Sequence, residues 1–192
     1  MKKEILITGL GGQGIVLAGQ VLGTAACLVD LLESTLTQSY GPEARGGACS
    51  AQVIISDKII HYPYVRNADI LVCMSQMGYD QHRHLLKDDA ILIIDSDMVR
   101  TVDNIGGGVF PIPATRIAEE LGRKMMANIV MLGFITSITG AVSVEGMLTS
   151  VAESVPRGTE ETNKAAFNKG YDFGQALLKA KQKKAAAKKG PG

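Results

Sequence analysis

The chain opens with an apolar run, Ile5-Leu6-Ile7, then a glycine turn, Gly9-Leu10-Gly11-Gly12-Gln13-Gly14, and then Ile15-Val16-Leu17-Ala18-Gly19-Gln20-Val21-Leu22. This pattern predicts a buried strand, a tight loop and a helix to about Leu28, packed through Ala18, Val21, Leu22, Ala25 and Ala26. Leu31 to Gln38 predicts a second strand. Ala48 to Ser56 reads as a long strand, Asp57-Lys58 as a tight turn, and Ile59-Ile60-His61-Tyr62 as its hairpin partner. Asp69 to Ser75 and Ala90 to Ser96 are short continuous apolar runs of the kind found in central parallel strands. Between them, Gln76 to Lys87 predicts a short helix. Gly106-Gly107-Gly108 precedes a last strand, Val109 to Ile112.

Beyond Ala114 the pattern is helical. Ile117, Leu121 and Met125 are spaced by four, and Asn128 to Gly140 is apolar nearly all round, which predicts a buried helix. Ser143 and Thr159 suit N-caps of helices over Val144 to Val155 and Glu160 to Lys179. On the last helix Ala166, Gly170 and Gly174 make a small-residue stripe that permits close packing. Strand–helix alternation followed by helices predicts an α/β fold, Rossmann-like and doubly wound. Its sheet is mostly parallel, with a β-hairpin insertion and C-terminal helices.

Composition narrows the picture. With 46% hydrophobic and 20% charged residues over 192 positions, the chain has the profile of one folded domain. The expected domain spans residues 1–179, followed by a disordered basic tail, 180–192. Six of the 20 basic residues fall in the last 14 positions with no acid, leaving 14 basic against 19 acidic residues in the body. The body shows no basic face with interleaved aromatics, so no nucleic-acid partner is expected. The segment from Ile129 to Val142 is interrupted by Gly133, Thr136, Ser137, Thr139 and Gly140, short of the roughly 20 residues of a membrane span. Lys2-Lys3-Glu4 leads into too short an apolar run for a secretory signal. Cys27, Cys49 and Cys73 are an odd, widely spaced set in apolar runs without C-x-x-C, which suits reduced, buried thiols in the cytoplasm and offers no zinc or iron–sulfur site. His61, His82 and His84 read as surface residues, since His82 and His84 diverge on a helix.

The candidate chemistry sits in two loops. Gly9, Gly11 and Gly14 satisfy the G-x-G-x-x-G spacing in the strand–turn–helix context that gives it meaning, and amides at the helix start can hold an anion. The second loop, Ser39-Tyr40-Gly41-Pro42-Glu43-Ala44-Arg45-Gly46-Gly47, adds a forked cation at Arg45. A nicotinamide site would place Asp or Glu at the end of the second strand. Here the strand ends in Thr37-Gln38-Ser39, and Asp30 and Glu33 precede it. A self-sufficient NAD(P)-dependent oxidoreductase is therefore the weaker reading.

These two loops, with Asn67-Ala68-Asp69-Ile70-Leu71-Val72, Ala118-Glu119-Glu120-Leu121-Gly122, Asn128-Ile129-Val130-Met131-Leu132-Gly133 and Asn163-Lys164-Ala165-Ala166-Phe167, carry a resemblance. The chain resembles the gamma subunits of 2-oxoacid:ferredoxin oxidoreductases and the equivalent domain of pyruvate:ferredoxin oxidoreductase. Ser39-Tyr40-Gly41-Pro42-Glu43 looks like the 2-oxoglutarate or branched-chain 2-oxoacid type.

The resemblance implies a subunit that is inactive alone. Oxidative decarboxylation of a 2-oxoacid to acyl-CoA, with ferredoxin reduction, would need thiamine diphosphate and iron–sulfur clusters held by partner chains. Those partners are the alpha and beta subunits and a ferredoxin-like subunit, with coenzyme A as co-substrate. Gly9, Gly11, Gly12, Gln13, Gly14, Ser39, Tyr40, Arg45, Gly46 and Gly47 are the implied binding residues. No residue of this chain is expected to be catalytic or to bind metal. Two plainer readings stay open: the glycine loop as a tight strand-to-helix joint, and Arg45 as a contact within the domain or to a neighbouring subunit. Together they describe a purely structural assembly subunit.

Overall fold

The structure is a computed structural model that describes residues 1–41, 46–101 and 105–188. β1 (Lys2–Leu10) leads through the glycine turn into α1 (Ile15–Thr24), which ends in one π-helical turn, Ala25–Val29. Then come β2 (Glu33–Tyr40), β3 (Ala48–Ser56), β4 (Ala68–Cys73), α2 (Gln76–His82), β5 (Leu86–Asp95) and β6 (Val109–Ile112). The helical half comprises α3 (Ala114–Glu120), α4 (Ala127–Thr139), α5 (Val144–Ser154) and α6 (Glu160–Lys188). β2 begins at Glu33 rather than Leu31 because Leu31 takes a left-handed φ of 55°, which no strand accommodates.

The strands form a six-stranded sheet in the order β2-β3-β1-β4-β5-β6. β1, β4, β5 and β6 are mutually parallel, while β3 runs antiparallel to both β1 and β2. The hairpin insertion is therefore β2–β3. The partner predicted from Ile59 to Tyr62 forms no strand. β3 is already paired along its length, from Lys2↔Ser56 to Leu10↔Ala48 on one side and from Glu33↔Ser56 to Tyr40↔Cys49 on the other. No edge remains for a third strand.

Alternation along the strands sorts side chains onto two faces. Ile5, Ile7, Val53, Ile55 and Val72 join the larger core beneath α1, α4, α5 and α6. Leu6, Ile54, Leu71 and Leu92 face the smaller one, covered by Tyr79 of α2 and by Val65. As its pattern predicts, α4 is buried along nearly its whole length. Ser143 caps α5 as predicted, accepting from the Gly146 amide at 3.0 Å. Thr159 precedes α6 but spends its hydroxyl differently, donating to the Pro156 carbonyl at 2.6 Å. α6 does not stop near Lys179. It continues to Lys188, and the Lys181 ammonium lies 3.6 Å from the centre of the Phe110 ring on edge strand β6. Among the described residues no helix is long and apolar enough to cross a membrane.

The small-residue stripe marks the crossing of α4 and α6, where the backbones touch. A Cβ on Gly133 would overlap the carbonyl oxygen of Phe167, and one on Gly170 would overlap that of Val130. Glycine costs a solvent-facing helix about 1 kcal/mol relative to alanine, so contact must repay it here. Gly133→Ala is accordingly expected to destabilise the protein by about 1–3 kcal/mol. Urea or thermal unfolding reads this directly. A melting temperature unchanged or raised would mean that the helices do not meet at this position.

Candidate functional site

The glycine turn is shaped by one side chain. The Gln13 carboxamide accepts from the Leu10 amide at 2.6 Å and donates to the Met74 carbonyl at 2.9 Å. It thereby ties the end of β1 to the end of β4. Gly9 lies inside β1 beneath this clamp, where a Cβ would strike Gln13 Oε1 and Ile15. Gly14 is the N-cap of α1, left-handed at φ 71°. Its carbonyl accepts from the Ala18 amide at 2.9 Å and from Asn128 Nδ2 at 3.1 Å. A side chain at Gly14 would be strained and would also collide with Asn128. No side chain caps α1 and no acid occupies its first turn. The positive end of the helix dipole therefore faces the opening of the loop.

The second loop meets the first. β2 points the same way as β1, because each is antiparallel to β3, so both loops leave the carboxyl end of the sheet. The Gly11 amide donates to the Gly47 carbonyl at 2.9 Å, and the Gly41 amide donates to the Ala48 carbonyl at 2.8 Å. Ser39, Tyr40, Gly41 and Gly47 line an open cleft of about 310 Å³, closed on its far side by Met77 and His82 of α2. Arg45 lies outside the described residues, as do Pro42, Glu43 and Ala44. Of the described flanks of that segment, Gly46 lies against Gly11 of the glycine turn and Gly41 against Ala48.

On the other side of the turn, Gly12 and Gln13 border a second hollow of about 210 Å³ with Thr115, Lys124, Met125 and Ala127. Thr115 is fixed from below by Asp95, fully buried at the end of β5. That carboxylate accepts from the Thr115 amide at 2.9 Å, the Thr115 hydroxyl at 2.6 Å and the Asp97 amide at 3.1 Å. Lys124 pairs with Glu119 at 3.3 Å. Both are well exposed, so the pair contributes little to stability. Asn128, Asp95 and Thr115 support the site although the loop motifs do not contain them. The available signal was polarity: Asn128 and Asp95 are polar residues bounding apolar runs.

The thiols are kept apart. Cys49 packs into the larger core and Cys73 into the smaller one, on opposite faces of the sheet, but Cys27, expected to be buried, is exposed, because the turn Ala25–Val29 buries only Ala25 and Ala26. Burial pushes the Cys73 thiol up to about 12, far from the thiolate that a metal or a nucleophile requires. Among the described residues, no group of three or more His, Cys, Asp or Glu side chains is placed to hold a metal ion.

Residues 4–173 match the family described as pyruvate ferredoxin/flavodoxin oxidoreductase. Among curated proteins, the 2-oxoglutarate synthase subunit KorC of Methanocaldococcus jannaschii is 49% identical over 180 residues, which are 92% of this chain and 96% of that protein. The keto/oxoacid ferredoxin oxidoreductase gamma subunit from Geobacter sulfurreducens superposes with a TM-score of 0.80 at 35% identity, covering 91% of this chain and 99% of that one. The 2-oxoglutarate:ferredoxin oxidoreductase of Magnetococcus marinus, solved with 2-oxoglutarate, coenzyme A and succinyl-CoA, gives a TM-score of 0.81 at 23% identity. There 91% of this chain matches 31% of a longer one, a likeness of fold.

Gln13→Glu tests the clamp while keeping its size. One carboxylate oxygen can still accept from Leu10, but the other would face the Met74 carbonyl without a proton to donate. The expected cost at neutral pH is about 1–3 kcal/mol, with faster hydrogen exchange at the Leu10 amide. Unfolding free energy and exchange rates equal to wild type would show that Gln13 does not shape the turn.

Proposed function

The chain belongs to the pyruvate ferredoxin/flavodoxin oxidoreductase family, and from that premise we propose that it is the gamma subunit of a 2-oxoglutarate:ferredoxin oxidoreductase. In the reaction proposed, 2-oxoglutarate loses carbon dioxide, coenzyme A takes the acyl group, and two electrons pass to ferredoxin. Thiamine diphosphate and iron–sulfur clusters supply the carbonyl and redox chemistry, and we assign both to the alpha, beta and ferredoxin-like partners in the cytoplasm. The observation that carries this chain's share is the junction of its two loops, Gly11 N–H to Gly47 C=O. It supports a single anion-binding edge rather than two separate turns.

At that edge, amides at the start of α1 suit a phosphate or carboxylate, and Gln13 holds the turn in shape. We assign Arg45 to the same anion, a phosphate of coenzyme A. The NAD(P) reading loses ground on topology. β3 stands between β1 and β2, so the end of β2 lies two strand spacings, about 9–10 Å, from the glycine turn. It carries Ser39 and Tyr40 where a ribose-binding acid would be needed.

The test uses the assembled complex, co-expressed with its partners. Wild type is expected to reduce ferredoxin in a manner dependent on both 2-oxoglutarate and coenzyme A. Arg45→Ala is expected to assemble normally and to raise the half-saturating coenzyme A concentration roughly 10- to 100-fold, the equivalent of about 1.5–3 kcal/mol. Normal assembly with unchanged half-saturation would confine the chain to an assembly role. Reduction independent of 2-oxoglutarate would refute the substrate.

A further inference from the structure

The end of the sheet opposite the two loops carries a surface of a different kind. Between β3 and β4 the chain crosses irregularly from Asp57 to Asn67; Val65 and Ile60 pack against the smaller core, while three large side chains point outward. Ile59 is 73% exposed, Tyr62 46% and Tyr64 52%. The Arg66 guanidinium stacks 4.2 Å from the centre of the Tyr62 ring, and the Tyr62 and Tyr64 rings are 5.6 Å apart. The backbone beneath is pinned. The Val65 amide donates to Gln52 Oε1 at 2.8 Å and the Arg66 amide to Glu4 Oε2 at 3.1 Å, while the Val65 side chain is buried. A hollow of about 480 Å³, lined largely by carbon, opens beside Ile59 and Tyr62. The aromatic and apolar groups are thus presented on a fixed segment.

Charge says what can cover them. From Lys58 to Asn67 the segment holds the cations Lys58 and Arg66 and no acid. The flanking acids are engaged: Asp57 pairs with the N-terminal ammonium, which with the adjacent Lys58 holds its carboxyl below the usual range, and Glu4 bonds Lys2 and the Arg66 amide. No described acid forms an ion pair with Lys58, His61 or Arg66. A local excess of positive charge on a body rich in acids fits a partner of opposite sign. Tyrosine and arginine are also the residue types that dominate binding energy at protein interfaces.

We propose that the Lys58–Arg66 segment docks an acidic, partly apolar face of another subunit of the complex, on the end of the molecule away from the glycine turn. This rests on the reading of the chain as a subunit of a heteromeric oxidoreductase.

Hydroxyl-radical footprinting of the purified complex tests it without altering the chain. Tyr62 and Tyr64 are expected to be protected at least 5-fold relative to the same complex dissociated by salt. Arg66→Glu, introduced by co-expression, is expected to weaken retention of this subunit on dilution by roughly 30-fold or more. Wild type that assembles and oxidises 2-oxoglutarate, with Tyr62 and Tyr64 as reactive as after dissociation, would overturn the docking surface and leave the gamma-subunit reading standing. Equal retention of Arg66→Glu would do the same. Protection that ribonuclease removes would point to nucleic acid and also overturn it. Wild type that never associates with thiamine- and cluster-bearing chains would refute the subunit reading and this proposal with it.

Discussion

The functional edge depends on β3 running antiparallel between β1 and β2. That insertion gives β2 the same direction as β1 while separating the two, so the loop after β2 returns beside the glycine turn. The Gly11–Gly47 hydrogen bond closes the contact. Two loops from strands that are not neighbours thus share one rim. In a sheet with β1 and β2 adjacent, the end of β2 would instead stand directly beside the glycine turn, where a dinucleotide's ribose is bound. The strand order itself moves the site away from dinucleotide recognition.

Around that rim, the turn is held by contacts that leave little freedom. Gln13 reaches to the end of β4, and Asn128, from the start of α4, reaches to the carbonyl of Gly14. α4 is held in turn by α6, at a crossing where Gly133 and Gly170 admit the opposing backbone. The chain of support therefore runs from the α4–α6 crossing through Asn128 to the glycine turn. This explains why so much apolar sequence is spent on a helix that carries no chemistry. It also suits the role proposed for this subunit, which is to present backbone amides in a fixed geometry.

Features set by local sequence were legible in advance. The glycine turn, the buried character of α4, the Ser143 cap and the small-residue stripe each depend on residues within a few positions, and each is present. The hairpin was misplaced because Ile59-Ile60-His61-Tyr62 has strand-like side chains, whereas pairing is decided by which edges remain open. β1 and β2 occupy both edges of β3, and the apolar segment becomes an exposed crossing instead. The Asn128–Gly14 bond spans 114 positions, far beyond the reach of any local periodicity. α6 outruns its compositional boundary, and on the extension Lys181 meets Phe110, a partner far away in sequence.

On the reading proposed, this glycine-rich, Rossmann-like edge is not a dinucleotide site. Titrating the purified chain with NADH while following nicotinamide fluorescence tests it most directly. No saturable change in emission is expected. Saturable binding in the micromolar range, competed by NAD, would contradict it.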